Sequence, residues 1–221
     1  DLHLAVAHLR DLATLRVGKV AVAALPSVAA VWMPQVIARY RAANPMIRVQ
    51  LFDTLAQGSV DLLRAGTVDL AVTAGGDLRE FELIELKRER FYLVCPATHS
   101  LAGKRTVSLS QLAGEEIVHL SPSSSVRRCL DAAQAEPLGK PGGLEAEHLA
   151  TVAGLVAQGL GVSVVPELTL FHFRREGLAT IPVRNTNLVR PVFLARRKGK
   201  ALSIAAQAMS EEIVAQARAP R

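Results

Sequence analysis

The spacing of apolar residues changes several times along the chain, and each change marks an element. Leu15–Ala23 passes from alternation with Arg16 and Gly18 to an unbroken apolar run, which predicts a buried strand. Pro26 and Ser27 then form a turn and helix start. Trp32, Met33, Val36, Ile37 and Tyr40 follow on one helical face. Pro34 fits that helix only in its first turn, and Asn44-Pro45 ends it. Ile47, Val49 and Leu51 alternate with Arg48 and Gln50, a second strand. Val60, Leu62 and Leu63 predict a short helix closed by Gly66. Val68–Thr73 reads as a third strand, followed by the loop Ala74-Gly75-Gly76-Asp77. Strand–helix–strand–helix–strand favours a parallel sheet with helical crossovers.

Leu83–Pro96 is a long extended segment of the kind that links two lobes. Beyond it the rhythm restarts: strand Glu116–Leu120, serine-rich loop Ser121–Ser125, helix Val126–Ala135 and strand Leu144–Glu147. Helix His148–Gln158 closes at Gly159, and strand Val162–Val165 stops at Pro166. Leu178–Val183 and Leu188–Arg196 read as a last strand pair leading back. Ser203–Ala217 reads as a closing amphipathic helix with Ile204, Ala208, Ile213 and Val214 inward. The expected fold is therefore α/β, with two lobes, two crossing strands and a cleft between. Asp1–Ala13 has helical spacing with a narrow apolar seam, which suits a partner helix or a short helix packed on its own domain.

Composition narrows the classes. With 221 residues, half of them apolar, the chain can bury a core without disulfides or metal. Its two cysteines, Cys95 and Cys129, fit neither a disulfide scaffold nor a zinc site, and agree with a reducing compartment. The net charge is +6, but basic residues are spread from Arg10 to Arg221 and aromatics are 4%, too few for a base-stacking groove. The uncharged stretches Val20–Ala38 and Leu149–Pro166 have the length of a membrane span. Their prolines and glycines make each a buried strand joined to a helix, so no membrane role is expected. No leader pattern is visible; since the chain begins at Asp1, a preceding leader or domain stays open.

The chemistry of an enzyme is missing from the pattern. There is no phosphate loop, no nucleophile elbow, and no metal spacing among the six histidines. Gly159-Leu-Gly161 reads as a helix C-cap rather than a dinucleotide fingerprint. No catalytic residue, metal or cofactor is expected. What the pattern does supply is polar groups where crossover helices begin, the place where α/β sheets hold ligands and where helix N–H groups favour anions. The candidates are Pro26, Ser27 and Val28 after the first strand, Thr54 after the second and Thr73 after the third. In the other lobe they are Ser123, Ser124 and Ser125, with Ser121 beside them, and His148. Each has a plain alternative: Ser27, Ser123 and His148 as caps of their own helices, Thr54 as the close of a turn. Taken together on two lobes they point to a small polar or anionic ligand.

The same residues resemble the effector-binding domain of LysR-type transcriptional regulators. LRVGKV at Leu15–Val20 resembles the family's opening strand, and MPQVIARYRAANP at Met33–Pro45 its first long helix. DLLRAGTVDLAV at Asp61–Val72 is similar to its signature, and LVAQGLGVSVVPE at Leu155–Glu167 is the most specific match. Glu85–Leu120 and PVFLARRKGKALS at Pro191–Ser203 follow in the family's order. The resemblance implies two Rossmann-like lobes in a fold like type II periplasmic binding proteins, with lobe I at 14–91 plus 191–221, lobe II at 92–190, and residues 1–13 as the tail of a linker helix. It implies a cytoplasmic sensor that is not an enzyme and binds a small-molecule inducer in the cleft. Ser27, Thr54 and Ser123–Ser125 would line that cleft, and His148 stands where many members carry a small polar residue. It also implies a homodimer or tetramer formed by the regulatory domains, with helices Met33–Ala43 and Val126–Ala135 as candidate contacts. Operator DNA would be bound only through a winged helix-turn-helix domain absent from this chain. The rival reading is a periplasmic solute-binding protein of a transporter, which shares the fold.

Overall fold

The computed structural model describes residues 18–184 and 187–219. The expected helix at Asp1–Ala13 lies outside the described residues. Two compact units are present: residues 18–87 with 191–219, and residues 88–190. Strand β4 (Phe81–Pro96) passes from the first unit into the second, and strand β9 (Val189–Arg197) passes back.

Unit 1 is built on three parallel strands, β1 (Gly18–Ala24), β2 (Ile47–Asp53) and β3 (Leu70–Thr73), with β1 in the middle. Strand β9 adds antiparallel to β3, pairing Val72 with Leu194. The apolar run of β1 is explained by its central place: Val20, Val22, Ala23 and Ala24 are fully buried, as a strand covered on both faces requires. On one face, helix α3 (Ala56–Arg64) sets Val60 and Leu63 against Ala21, Ala23, Ala71 and Ala195. Small sheet residues there let the crossover helix lie close. Helix α2 (Met33–Ala43) buries Met33, Val36 and Tyr40 and packs against helix α6 (Ile204–Arg218). Tyr40 Oη donates to Ala205 O at 3.0 Å, joining the two helices. Pro34 sits in the first turn of α2 and Asn44 closes it, as expected. Gly66 follows α3 with φ +74°; its N–H and that of Thr67 bond back to Leu63 O and Leu62 O, a Schellman closure.

Two details differ from the sequence reading. Pro26 and Ser27 belong to a short helix α1 (Pro26–Val31), not to a turn before one. The buried face of α6 is Ala205, Ala206, Met209, Ser210 and Ile213, while Ile204 is 52% exposed. Ser203 is the N-cap and accepts from Ala206 N, so Ile204 is held in the first turn on the outer side.

In unit 2, β4 pairs antiparallel with β7 (Ser163–Pro166) and with β8 (Leu178–Pro182). The expected last strand pair is therefore split: β8 joins β4, and β9 joins β3. Strands β5 (His119–Leu120) and β6 (Glu145–Ala146) are parallel and short, and a parallel bridge between Ile117 and Val162 carries the pairing on to β7. Helices α4 (Ser125–Ala132) and α5 (Leu149–Ala157) cover this sheet, burying Val126, Leu130, Val152 and Val156 with Phe91, Leu93 and Phe173. Residues Glu167–Phe173 form a 3-10 segment that the apolar pattern did not announce.

The pair Gly159 and Gly161 does two different jobs. Gly159 closes α5 with φ +73°, its N–H bonding to Val156 O and that of Leu160 to Leu155 O. Gly161 lies past that closure; a Cβ there would stand 2.6 Å from Glu116 O. The C-cap reading therefore applies to the first glycine alone.

Candidate functional site

Because β1, β2 and β3 are parallel, their carboxyl ends meet at one edge of unit 1. Two bonds continue the ladders past the strand ends: Leu25 N to Val72 O and Thr54 N to Ala24 O, both 3.0 Å. They draw Pro26–Val28, Thr54 and Thr73 to the same edge. Ser27 is inside the first turn of α1 and 2% exposed; the N-cap is Leu25, without a side-chain bond. Thr54 is half-buried and precedes Leu55, the N-cap of α3, which also makes no side-chain cap bond. Ser27 is thus not the N-cap of its own helix, and Thr54 stands one residue before the N-cap of α3. Thr73 Oγ1 is buried with no hydrogen-bond partner, as is Ser59 Oγ in α3. An unmatched buried hydroxyl costs about 1–3 kcal/mol. Thr73 shares its sheet face with Ala71, the face covered by α3.

In unit 2 the carboxyl ends of β5 and β6 carry the second group. Ser121 N bonds to Ala146 O at 3.1 Å. Ser121 Oγ lies 2.8 Å from Ser123 Oγ and donates to Glu147 Oε2 at 3.2 Å. Ser124 is the N-cap of α4 and accepts from Val126 N at 3.1 Å. The capping role therefore falls to Ser124, not Ser123. Ser125 opens the helix, 6% exposed, with its Oγ 3.5 Å from Arg190 Nη1. His148 stands at the N-cap of α5, but its backbone carbonyl starts the helix and its exposed ring makes no cap bond.

Sequence reasoning missed the pair Glu89 and Arg190, 0% and 3% exposed. Arg190 Nε donates to Glu89 Oε2 at 2.7 Å, and Leu168 N donates to Glu89 Oε1 at 2.6 Å. Glu89 is one residue inside unit 2 on β4, and Arg190 is the last residue of unit 2 on β9. The Lys-Arg-Glu-Arg run hid Glu89 among charges, and 101 residues separate the partners.

Burial pushes the Cys95 thiol up to about 11, helped by Glu115, and raises that of Cys129. Protonated thiols are poor nucleophiles, which fits packing rather than chemistry. His119 donates from Nε2 to Leu138 O at 3.1 Å and leaves Nδ1 buried without a partner. Burial, then the charge of Arg127, holds its pKa below the ordinary value. The folded state thus binds protons less readily than the unfolded chain. Its contribution is fully present above about pH 6.5 and is lost as pH falls through the folded pKa. Urea midpoints should therefore fall from pH 7.5 to 5.5, and fall less in His119→Asn; equal losses in both proteins would contradict this. Among the described residues no group of three His, Cys, Asp or Glu could hold a metal, and no helix is long and apolar enough to cross a membrane.

Comparison with known proteins gives one consistent answer. The family model of the LysR substrate binding domain matches residues 13–218. The HTH-type transcriptional regulator YfeR of Shigella flexneri is 32% identical over 200 residues, covering 87% of this chain and 63% of that protein. The chain spans just under two thirds of the length of such relatives. Among solved structures, the effector binding domain of QuiR in complex with shikimate superposes with a TM-score of 0.80 at 19% identity, covering 91% of this chain and 98% of the other. The regulatory domain of CcmR from Synechocystis PCC6803 in complex with 2-PG gives 0.82 at 18%, with the same coverages. These likenesses show the fold, that of LysR effector-binding domains, with the type II periplasmic-binding-protein architecture.

Proposed function

The chain belongs to the family of LysR substrate-binding domains, and on that premise we propose that it senses a small anionic metabolite and passes its presence to a DNA-binding domain elsewhere in the regulator. The observation that carries the ligand class is the carboxyl edge of unit 1. Ser27, Thr54 and Thr73 lie there beside the first turn of α3, whose N-cap, Leu55, makes no side-chain bond. Backbone N–H groups at such a turn, with hydroxyls around them, favour an anion. The serine edge of unit 2, Ser121–Ser125, is the second contact surface in this reading. The net charge of +6 supports it, as does the shikimate held by QuiR, which is a small carboxylate. The relatives are transcriptional regulators, so neither an enzyme nor a transporter's binding protein is favoured.

Effector binding can shift the protein between conformations only by its differential affinity for them. In the intact regulator that shift would change the operator footprint; identical footprints with and without effector would contradict the reading. A thermal-shift screen of this chain against small carboxylates, amino acids, aromatic acids, sugar phosphates and neutral sugars tests the ligand class. At a hundredfold excess over Kd, binding adds about 2.7 kcal/mol, which raises Tm by roughly 5–10 °C. Hits confined to acids are expected; hits confined to neutral sugars would overturn the anionic assignment.

A further inference from the structure

We infer that Gly58 is a positioning residue for Thr54: its bare α-carbon reserves the space in which the Thr54 hydroxyl stands over the first turn of α3. This rests on the reading of Thr54 as an effector contact. Gly58 is the third residue of α3, and its φ is not in the left-handed region, so backbone conformation does not require glycine there. Helix propensity favours alanine at such a position. What alanine would meet is specific: its Cβ would lie 2.3 Å from Thr54 Oγ1, with Thr54 Cβ and Cγ2 at an ordinary 3.5 Å.

The clash has one simple relief, and that relief moves the hydroxyl. The Thr54 N–H is bonded to Ala24 O, so its backbone is anchored to the end of β1. Threonine has two heavy atoms on Cβ, and its side chain occupies staggered wells. Turning χ1 puts either the methyl or the Cβ hydrogen in the place of Oγ1. The methyl would clash as the oxygen does. Only the rotamer that turns the hydrogen toward residue 58 clears the contact, and it carries the hydroxyl away from the helix turn. Glycine at 58 therefore keeps open the rotamer in which the Thr54 hydroxyl stands over the helix turn.

The test needs no ligand. Gly58→Ala is made in the native chain and in Thr54→Ala, and Tm and the Thr54 side-chain rotamer are measured, the latter from three-bond couplings of its methyl carbon. In Thr54→Ala, which removes the obstructing oxygen, Gly58→Ala should raise Tm by about 2–4 °C through better helix propensity. In the native background the gain should vanish or reverse, and the Thr54 couplings should report a changed χ1. An equal rise in both backgrounds, or unchanged couplings, would overturn the inference. Either result leaves the effector reading to its own binding test, so the two fail separately.

Discussion

Arg190→Met is expected to destabilise unit 2 by about 3–5 kcal/mol, because it leaves Glu89 charged and buried without its counter-ion. That is a large share of the 5–15 kcal/mol that ordinarily holds a domain together. Glu89 is 0% exposed and cannot turn to water. Its other oxygen still accepts from Leu168 N, in the first turn of the 3-10 segment after β7. Glu89→Gln keeps an acceptor for Leu168 and removes the charge, so it should cost less than Glu89→Ala, which takes the acceptor from Leu168 N and the carboxylate from Arg190. Arg190→Met with Glu89→Gln should cost less than the sum of the two single changes, since neither then leaves a lone buried charge. The single tryptophan, Trp32, lies in unit 1, so its fluorescence is a poor reporter. Urea unfolding followed by circular dichroism, with hydrogen exchange of β4 and β7 amides, reads the effect directly. A loss under 1 kcal/mol in Arg190→Met would show that water reaches the pair.

The second large effect is at Gly161. Gly161→Ala should cost about 2–4 kcal/mol, while Gly159→Ala, two residues away, should cost about 1–2 kcal/mol. Both glycines have positive φ. At Gly159 an added Cβ meets nothing within 4 Å, so only the backbone penalty applies. At Gly161 it meets Glu116 O at 2.6 Å and Glu116 C at 3.2 Å, which are backbone atoms. That carbonyl accepts from Val162 N at 2.8 Å, and Val118 N bonds to Val162 O at 2.8 Å. Relief therefore requires the segment before β5 to move away from β7, opening the bridge between Ile117 and Val162. Denaturant midpoints of the two variants check this. Equal losses would mean that the segment yields without breaking those bonds.

What could be read in advance follows from what each signal depends on. The elements of unit 1 were legible because their cues are local: the apolar run of β1, the proline in the first turn of α2 and the glycine after α3. The candidate polar groups were legible because in a parallel sheet they must fall where strands end and helices begin. The face of α6 was not, because Ala205, Ala206 and Ser210 are small and weakly apolar, and α2 selects them for close packing. The partners of β8 and β9 depend on register across the sheet, which no local pattern carries. Glu89 and Arg190 were invisible for the same reason: each looks solvated by itself, and only the paired strands bring them together. Nor could spacing reveal that Gly58 faces the Thr54 hydroxyl, since that depends on how α3 leaves the end of β2.

The most direct measurement is a calorimetric titration of the acid returned by the thermal screen into the native chain and two paired variants, one for each polar edge. Ser27→Ala with Thr54→Val removes hydroxyls from unit 1, and Ser123→Ala with Ser125→Ala removes them from unit 2. Each lost hydrogen bond is worth about 1–2 kcal/mol, so each paired variant should bind roughly 30- to 1,000-fold more weakly. Unchanged affinity in both variants, with native stability retained, would contradict the assignment of these edges as the effector-contacting surfaces.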